Sequence, residues 1–205
     1  MQTEREFRAA VLHLSEHDPN LARIVTDHGQ PDFWTRQPGF ATLVLFILEQ
    51  QVSLASAAAA FNRLQGRLGD VSPETVLTPT DEELRADGLS RQKARYVRLL
   101  AHAVRDGTFD LGDLDLLDDD TVRTRLTALT GIGPWTAEVY LLSCLRRPDV
   151  WPIHDRALQV ATAEALELGE VPRPETLRSI GERWRPHRST AARMLWHAYL
   201  ARRSK

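Results

Sequence analysis

Apolar residues recur along this chain at helical spacing, and no stretch alternates apolar and polar residues as a half-exposed strand would. The i, i+3, i+4, i+7 pattern of one helix face is carried, for example, by Val97, Leu100, Ala101 and Val104. Ser90 can cap this helix and Gly107 can end it. Similar segments follow one another with short turns between them, about eleven in all. The pattern therefore predicts an all-α fold.

Particular helices are marked by their composition and by their first residues. Residues 39–51 contain the run Leu-Val-Leu-Phe-Ile-Leu, which is apolar nearly all round and predicts a central buried helix. Residues 53–68 contain four consecutive alanines and predict a helix that packs closely on its neighbours. Thr80 and Glu83 have the spacing of a capping box. Prolines suited to the start of a helix are Pro134, Pro152 and Pro174.

The composition limits the class of protein. The 205 residues, 42% of them hydrophobic, can form a sizeable core in one domain or two close lobes. No apolar run reaches the roughly 18 residues of a membrane helix, and the N-terminus lacks the apolar core of a signal peptide. Cys144 is the only cysteine, which excludes an intrachain disulfide and a cysteine-based metal cage. We therefore expect a reduced, cytoplasmic setting without a membrane partner.

Charge is distributed unevenly along a chain whose net charge is −2. Residues 106–120 carry seven aspartates and no basic residue, and they lack the glycine and final glutamate of a calcium loop. We interpret them as an exposed connection. Residues 171–205 carry eight arginines and Lys205 against two glutamates. Such an excess can make one face basic, although a solvated helix with scattered arginines is the alternative interpretation.

A Gly131-Ile132-Gly133 turn lies between two predicted helices, the first over residues 121–129 and the second beginning at Pro134. Glycine permits positive φ and lets a phosphate approach the backbone closely. The first N–H groups of the second helix and its dipole favour an anion. Ile132 is expected to turn inward and hold the two helices together. The segment, about residues 121–146, therefore predicts a helix–hairpin–helix that grips a DNA backbone without reading its sequence.

This hairpin and the aspartate downstream of it, Asp155, resemble the helix–hairpin–helix (HhH-GPD) DNA glycosylase superfamily. Within it, the chain is most similar to the alkyladenine (3-methyladenine) DNA glycosylases of the bacterial AlkA and yeast Mag type. The similarity spans roughly residues 18–200, in an ordered series of segments: 18–29, 38–55, 88–96, 129–137, 149–155 and 184–196.

The resemblance implies one two-lobed, all-α domain over residues 1–205, with the substrate cleft between the lobes, the hairpin at its mouth and no N-terminal β domain. It implies that Asp155 is the catalytic carboxylate and that Trp135 and Trp196 line the base pocket. Two departures are visible. Many relatives have glycine where Glu49 stands, so the cleft near the DNA can differ. An aromatic pocket residue of the AlkA type aligns with Val139, and the neighbouring Tyr140 is our pocket candidate.

The residues also indicate the reaction. Cleavage of an N-glycosidic bond leaves positive charge on the sugar, which a carboxylate such as Asp155 stabilises while it orients water. A damaged base must leave the duplex to be reached, and aromatic walls suit an alkylated, cationic base. Bifunctional relatives carry a lysine where this chain has Trp135, and neither Lys93 nor Lys205 replaces it. We therefore expect a monofunctional glycosylase without lyase activity on the abasic site.

Further site residues follow from the same resemblance. DNA contacts are expected from Gly131, Ile132, Gly133, Trp135, Thr136, Gln51, Arg156 and Arg188, with Arg146, Arg147 and Arg193 as weaker candidates. Gln51 stands where family members fill the gap left by the flipped base. The carbonyls of Thr127, Leu129 and Ile132 can hold a structural Na⁺ or K⁺, and no cofactor is required. His154 either tunes Asp155 or is structural, and Cys144 is expected in the core.

The predicted partner is double-stranded DNA containing damaged bases, bound by a monomer in base excision repair near a bacterial nucleoid. One alternative keeps the reaction and changes the base to an oxidised or deaminated one. Another is a helix–hairpin–helix DNA-binding module without catalysis, and the presence of Asp155 argues against it.

Overall fold

The structure is a computed structural model that describes residues 1–203. In chain order its α-helices are α1 (Glu4–His17), α2 (Pro19–His28), α3 (Phe40–Glu49), α4 (Leu54–Leu68), α5 (Asp81–Ala86), α6 (Arg91–Arg105), α7 (Asp119–Thr127), α8 (Pro134–Ser143), α9 (Arg156–Ala165), α10 (Pro174–Gly181) and α11 (Arg188–Arg203), with short 3-10 helices at Thr75–Leu77 and Glu182–Trp184. No strand occurs in the described range, so the all-α prediction is confirmed. Nor does any helix in residues 1–203 combine the length and apolar character needed to cross a membrane.

Polar residues at the predicted positions begin several of these helices. The Ser90 side chain accepts the Lys93 N–H at the start of α6. Thr80 and Glu83 form the expected reciprocal capping box at α5. Each such cap satisfies backbone donors that the first turn leaves without partners, typically stabilising by about 1 kcal/mol.

Two predicted helix starts are wrong. No helix begins at Pro152, which instead lies in a turn where its carbonyl accepts the Asp155 N–H at 2.9 Å. Helix α7 begins at Asp119 and not at residue 121, because Asp118 caps it by accepting the N–H groups of Asp120 and Thr121. The aspartate-rich segment is confirmed as an exposed connection that Phe109 and Leu114 anchor in the core.

The chain folds into two compact helical units. The central unit comprises Arg36–Tyr140. Its middle is α3, which packs against α4 and α6 and is buried on nearly all sides, as predicted. Burial of each large apolar side chain of this helix, such as Phe46 or Ile47, stabilises by about 1.5–3 kcal/mol.

The terminal unit comprises Met1–Thr35 and the described residues from Leu141 onward. Helix α11 forms its centre and packs against α1, α2 and α9. Small residues such as Ala191 and Ala192 allow this close packing, and the buried face also contains one charged side chain, Arg193. Cys144 is buried here, as predicted.

Candidate active site

Asp155 lies at the start of α9 in the terminal unit, at the end of the turn that begins with Pro152. Its Oδ1 accepts the Leu158 backbone N–H at 2.6 Å and the Trp196 indole N–H at 3.0 Å. The first of these bonds makes Asp155 the N-cap of the helix, whose dipole is positive at this end. The turn, the cap and the indole together fix one partly buried carboxylate in one orientation.

A second tryptophan, Trp34, lies next to Trp196. The sequence did not indicate that Trp34 belongs to this site. Its ring centroid lies 5.8 Å from that of Trp196 at an interplanar angle of 46°. Trp34 is 37% exposed, which is unusual for so large an apolar ring. The terminal unit therefore carries an aspartate that is hydrogen-bonded to one tryptophan, and a second tryptophan contacts the first.

Replacement of Trp196 by phenylalanine is expected to lower base release about tenfold, because it removes one donor to the Asp155 carboxylate and nearby solvent partly substitutes for it. Single-turnover kinetics on a damaged duplex measures the effect. Trp184→Phe is the matched control, since its indole donates to another carboxylate, that of Asp18, at 2.8 Å. An equal loss in both variants would argue against a specific role for Trp196.

The hairpin lies in the central unit, and its geometry follows the predicted pattern. Gly131 has φ of +95°, and a Cβ at this position would lie 2.6 Å from the Cβ of Tyr96. Ile132 is buried, and its N–H donates to the Leu129 carbonyl at 3.0 Å. In α8 the Ala137 N–H donates to the Gly133 carbonyl at 3.1 Å. Nothing lies within 4 Å of a Cβ built on Gly133, so the second glycine faces open space.

Gln50 braces this hairpin, a role that the sequence did not reveal. Its Nε2 donates to the Gly131 carbonyl at 2.9 Å and to the Thr136 hydroxyl at 3.2 Å. The Thr136 side chain is consequently buried, so only its backbone is suited to a DNA contact. The next residue, Gln51, is exposed in a left-handed conformation with φ of 59°. An exposed residue on a constrained backbone suits the gap-filling role predicted for it.

The two remaining aromatic candidates differ in exposure. Trp135 is half-buried, with its ring edge-on to Phe46 at 6.3 Å. Tyr140 is completely buried, and its hydroxyl accepts the Gly39 N–H at 3.1 Å. Tyr140 is therefore placed in the core of the central unit, as is the neighbouring Val139. The contacts of Tyr140 are those of a core packing residue, and its ring offers no exposed surface for a base.

Glu49 does not present a free charge. Its carboxylate accepts two hydrogen bonds from Arg36, at 2.7 and 2.9 Å, in a bidentate pair. The guanidinium also lies 4.8 Å from the centroid of the Phe46 ring. The negative charge that Glu49 introduces, where many relatives have glycine, is therefore neutralised by Arg36 within the central unit.

The arginine candidates occupy three kinds of environment. Arg156 is exposed beside Asp155, with a hydrogen bond to Gln159 at 3.2 Å, and suits a DNA contact. Arg188 is only 12% exposed, and its guanidinium is occupied by Asp149 and Glu182. Arg193 is buried, which excludes a contact with a phosphate at the surface. The remaining members are half-buried or exposed and stay predictions: Arg146, Arg147 and His154.

The predicted cation carbonyls belong to Thr127, Leu129 and Ile132. Thr127 is the last residue of α7, and helix C-termini carry partial negative charge that favours a cation. One of the three carbonyls, that of Leu129, already accepts the Ile132 N–H. Among residues 1–203, no group of three or more histidine, cysteine, aspartate or glutamate side chains is placed to hold a metal ion.

Comparison with known proteins gives consistent similarities. A family model described as "HhH-GPD superfamily base excision DNA repair protein" matches residues 44–186. DNA-3-methyladenine glycosylase 1 of Schizosaccharomyces pombe is 27% identical over 194 residues, which cover 91% of this chain and 85% of the relative. A solved 3-methyladenine DNA glycosylase from S. pombe, in complex with abasic DNA, has a TM-score of 0.83 at 27% identity and covers 92% of this chain and 95% of its own. A DNA-3-methyladenine glycosidase from Bacillus halodurans has a TM-score of 0.78 at 31% identity and covers 96% of this chain and 91% of its own.

Proposed function

The chain belongs to the HhH-GPD superfamily of base excision DNA repair proteins, and from this premise we propose that it is a monofunctional DNA glycosylase that hydrolyses the N-glycosidic bond of alkylated purines. The observation that carries the proposal is the carboxylate of Asp155, fixed by a backbone N–H and the Trp196 indole beside the exposed ring of Trp34. Proteins similar along most of this chain are named for 3-methyladenine.

Asp155 acts on the sugar. As the glycosidic bond breaks, positive charge develops on the sugar ring, and a fixed carboxylate stabilises that charge without having to reorganise. The same group orients the water that attacks the sugar. An alkylated purine that already carries positive charge leaves as a neutral base, so the reaction needs no protonation of the leaving group by the protein.

The hairpin acts on the DNA backbone. Gly133 leaves open space at the start of α8, where a phosphate oxygen can approach the backbone. Gln51 takes the space of the extruded nucleotide. Contacts of this kind position the duplex and do not read its sequence, which suits a protein that must inspect any damaged site. A Na⁺ or K⁺ bound by the carbonyls of Thr127, Leu129 and Ile132 would stabilise the turn, and catalysis itself requires no cofactor.

Within residues 1–203, the one lysine, Lys93, is poorly suited to Schiff-base chemistry with the sugar, which supports monofunctional hydrolysis. Lys93 donates from Nζ to the Leu48 carbonyl at 2.7 Å, in the last turn of α3. Burial lowers the pKa of Lys93, but its amine is committed to this contact. The other lysine, Lys205, lies outside the described residues. Trp135 occupies the hairpin position at which bifunctional relatives carry the nucleophile.

A panel of otherwise identical duplexes containing methylated purines, ethenoadenine, hypoxanthine or uracil tests both parts of the proposal. We expect release of methylated purines, an intact abasic strand, and no protein–DNA adduct after borohydride treatment, because no amine forms an imine with the sugar. An adduct would overturn monofunctional hydrolysis. Release of only uracil, or of no base at all, would overturn the substrate class or the enzymatic function, respectively.

A further inference from the structure

Arg193 is a charged side chain enclosed by aromatic rings in the terminal unit. It is 1% exposed. Its Cζ lies 4.5 Å from the ring centroid of Trp34 and 5.4 Å from that of Phe33, with Phe7 slightly farther away at 6.0 Å. Three rings therefore take the place of the water that would normally surround a guanidinium.

The charge of Arg193 is not neutralised by an acid. In residues 1–203 its side chain makes one hydrogen bond, from Nη2 to the Leu142 carbonyl at 3.1 Å, and forms no ion pair. Nε and Nη1 are buried without a hydrogen-bond partner. Desolvation lowers the pKa of Arg193 to about 10, so the group remains charged at neutral pH. An unpaired buried charge is costly, and its effect on nearby groups is only weakly screened.

This charge is linked by direct contacts to the candidate catalytic group. Trp34 packs on Trp196, whose indole donates to the Asp155 carboxylate. Trp34 is 37% exposed, whereas Arg193, which lies over its ring, is buried. The part of the ring that solvent reaches is open to a ligand that stacks.

We propose that Trp34 forms a wall of the base pocket and that the Arg193 charge behind it weakens the preference for cationic bases, so that uncharged damaged purines are also accepted. This inference rests on the proposed function. One aromatic ring attracts a cation through its electron-rich face, and a guanidinium already bound to that ring reduces the attraction for a second cation.

The expected size of this effect follows from distance. A base in van der Waals contact with the exposed side of Trp34 would lie about 8 Å from the guanidinium carbon. At an effective dielectric constant of about 20, repulsion between two unit charges at that distance corresponds to roughly 30-fold in the equilibrium constant for placing the cationic base in the pocket. Solvent and the Asp155 carboxylate reduce it, so we expect about tenfold.

The test compares release of 7-methylguanine, which is cationic in DNA, with release of neutral hypoxanthine from matched duplexes. Arg193→Met and Arg193→Gln are expected to raise the ratio of the two single-turnover rates about tenfold when protein is below saturation, where the rate includes entry of the base into the pocket. Arg193→Lys keeps the charge and should keep the ratio. Two neutral variants are used because they perturb the buried position differently. Methionine is unbranched and fills irregular apolar space, whereas glutamine retains a donor for the Leu142 carbonyl.

Each outcome has a distinct meaning. If both rates change equally in folded Arg193→Met or Arg193→Gln, their ratio is unchanged. Arg193 would then have only a structural role, and the inference would be overturned. Trp34→Ala tests the wall independently in the presence of native Arg193: we expect at least a tenfold loss of release for both bases, and an unchanged rate would also overturn it. Failure of the wild-type protein to release either base would instead refute the proposed function.

Discussion

Replacement of Asp155 by asparagine is expected to lower base release by about 100- to 1000-fold, while affinity for the same duplex changes by less than about threefold. The substitution removes the negative charge that stabilises the developing positive sugar. Groups that stabilise charge in a transition state are typically worth about 2.7–4 kcal/mol when they are removed singly. Single-turnover release of a methylated purine and binding to an abasic-analogue duplex measure the two effects separately.

Asparagine is a suitable replacement because Asp155 has a structural role as well. Its Oδ1 accepts the Leu158 N–H and the Trp196 indole N–H, and an amide oxygen can accept both. Asparagine also caps helices as well as aspartate does, whereas alanine would remove the cap of α9 at about 1 kcal/mol. Thermal unfolding should therefore be unchanged in Asp155→Asn and lowered in Asp155→Ala. Base release within threefold of the wild-type rate in Asp155→Asn would rule out a catalytic carboxylate at this position.

Much of this architecture could be predicted because its determinants are local. The Ser90 cap and the apolar run of α3 each determine the structure of only a few neighbouring residues. The local sequence is therefore enough to predict them. The wrongly predicted helix starts also result from local signals. Pro152 suits a first helical turn, but Asp155 downstream is the stronger cap and the helix begins after it. Where two start signals compete, composition alone does not decide between them.

The candidate site was predicted less completely, because several of its contacts join distant parts of the chain. Gln50 meets Gly131 across 81 positions of sequence, and Trp34 meets Trp196 across an even longer separation. Neither polar type nor aromatic type alone indicates such a pairing. The Arg36–Glu49 pair spans only 13 positions, but it joins the segment before α3 to the end of that helix, and it accommodates a glutamate where many relatives have glycine. Only the folded backbone brings these partners within reach.

Arginine was the least predictable residue type. Local charge over residues 171–205 predicts a basic face, yet several of these side chains are committed elsewhere. Arg188 is occupied by acids, Arg202 and Arg203 pair with Glu164, and Arg193 lies among aromatic rings. Formal charge along a sequence therefore overstates the charge available for DNA. Arg156, which is exposed beside the candidate catalytic aspartate, is the better candidate for a phosphate contact.

Substitution of the two hairpin glycines by alanine should affect the stability of the protein very differently. In Gly131→Ala, the added Cβ would meet the Tyr96 side chain at 2.6–2.7 Å on a backbone with φ of +95°. Left-handed strain and overpacking together should destabilise the protein by about 3 kcal/mol, which lowers the melting temperature by roughly 10 °C. In Gly133→Ala, the new methyl group meets nothing within 4 Å, and stability should change by less than about 0.5 kcal/mol.

DNA binding separates the two substitutions further. If a phosphate approaches the backbone at Gly133, a methyl group there occupies its path, and the Kd for a duplex should rise about tenfold although the protein stays folded. Gly131→Ala should weaken binding only in proportion to its loss of folded protein. Thermal unfolding and a duplex titration at one fixed salt concentration distinguish these effects, since phosphate contacts depend steeply on salt. Unchanged affinity in Gly133→Ala would mean that the open space at the start of α8 is not where the DNA backbone binds.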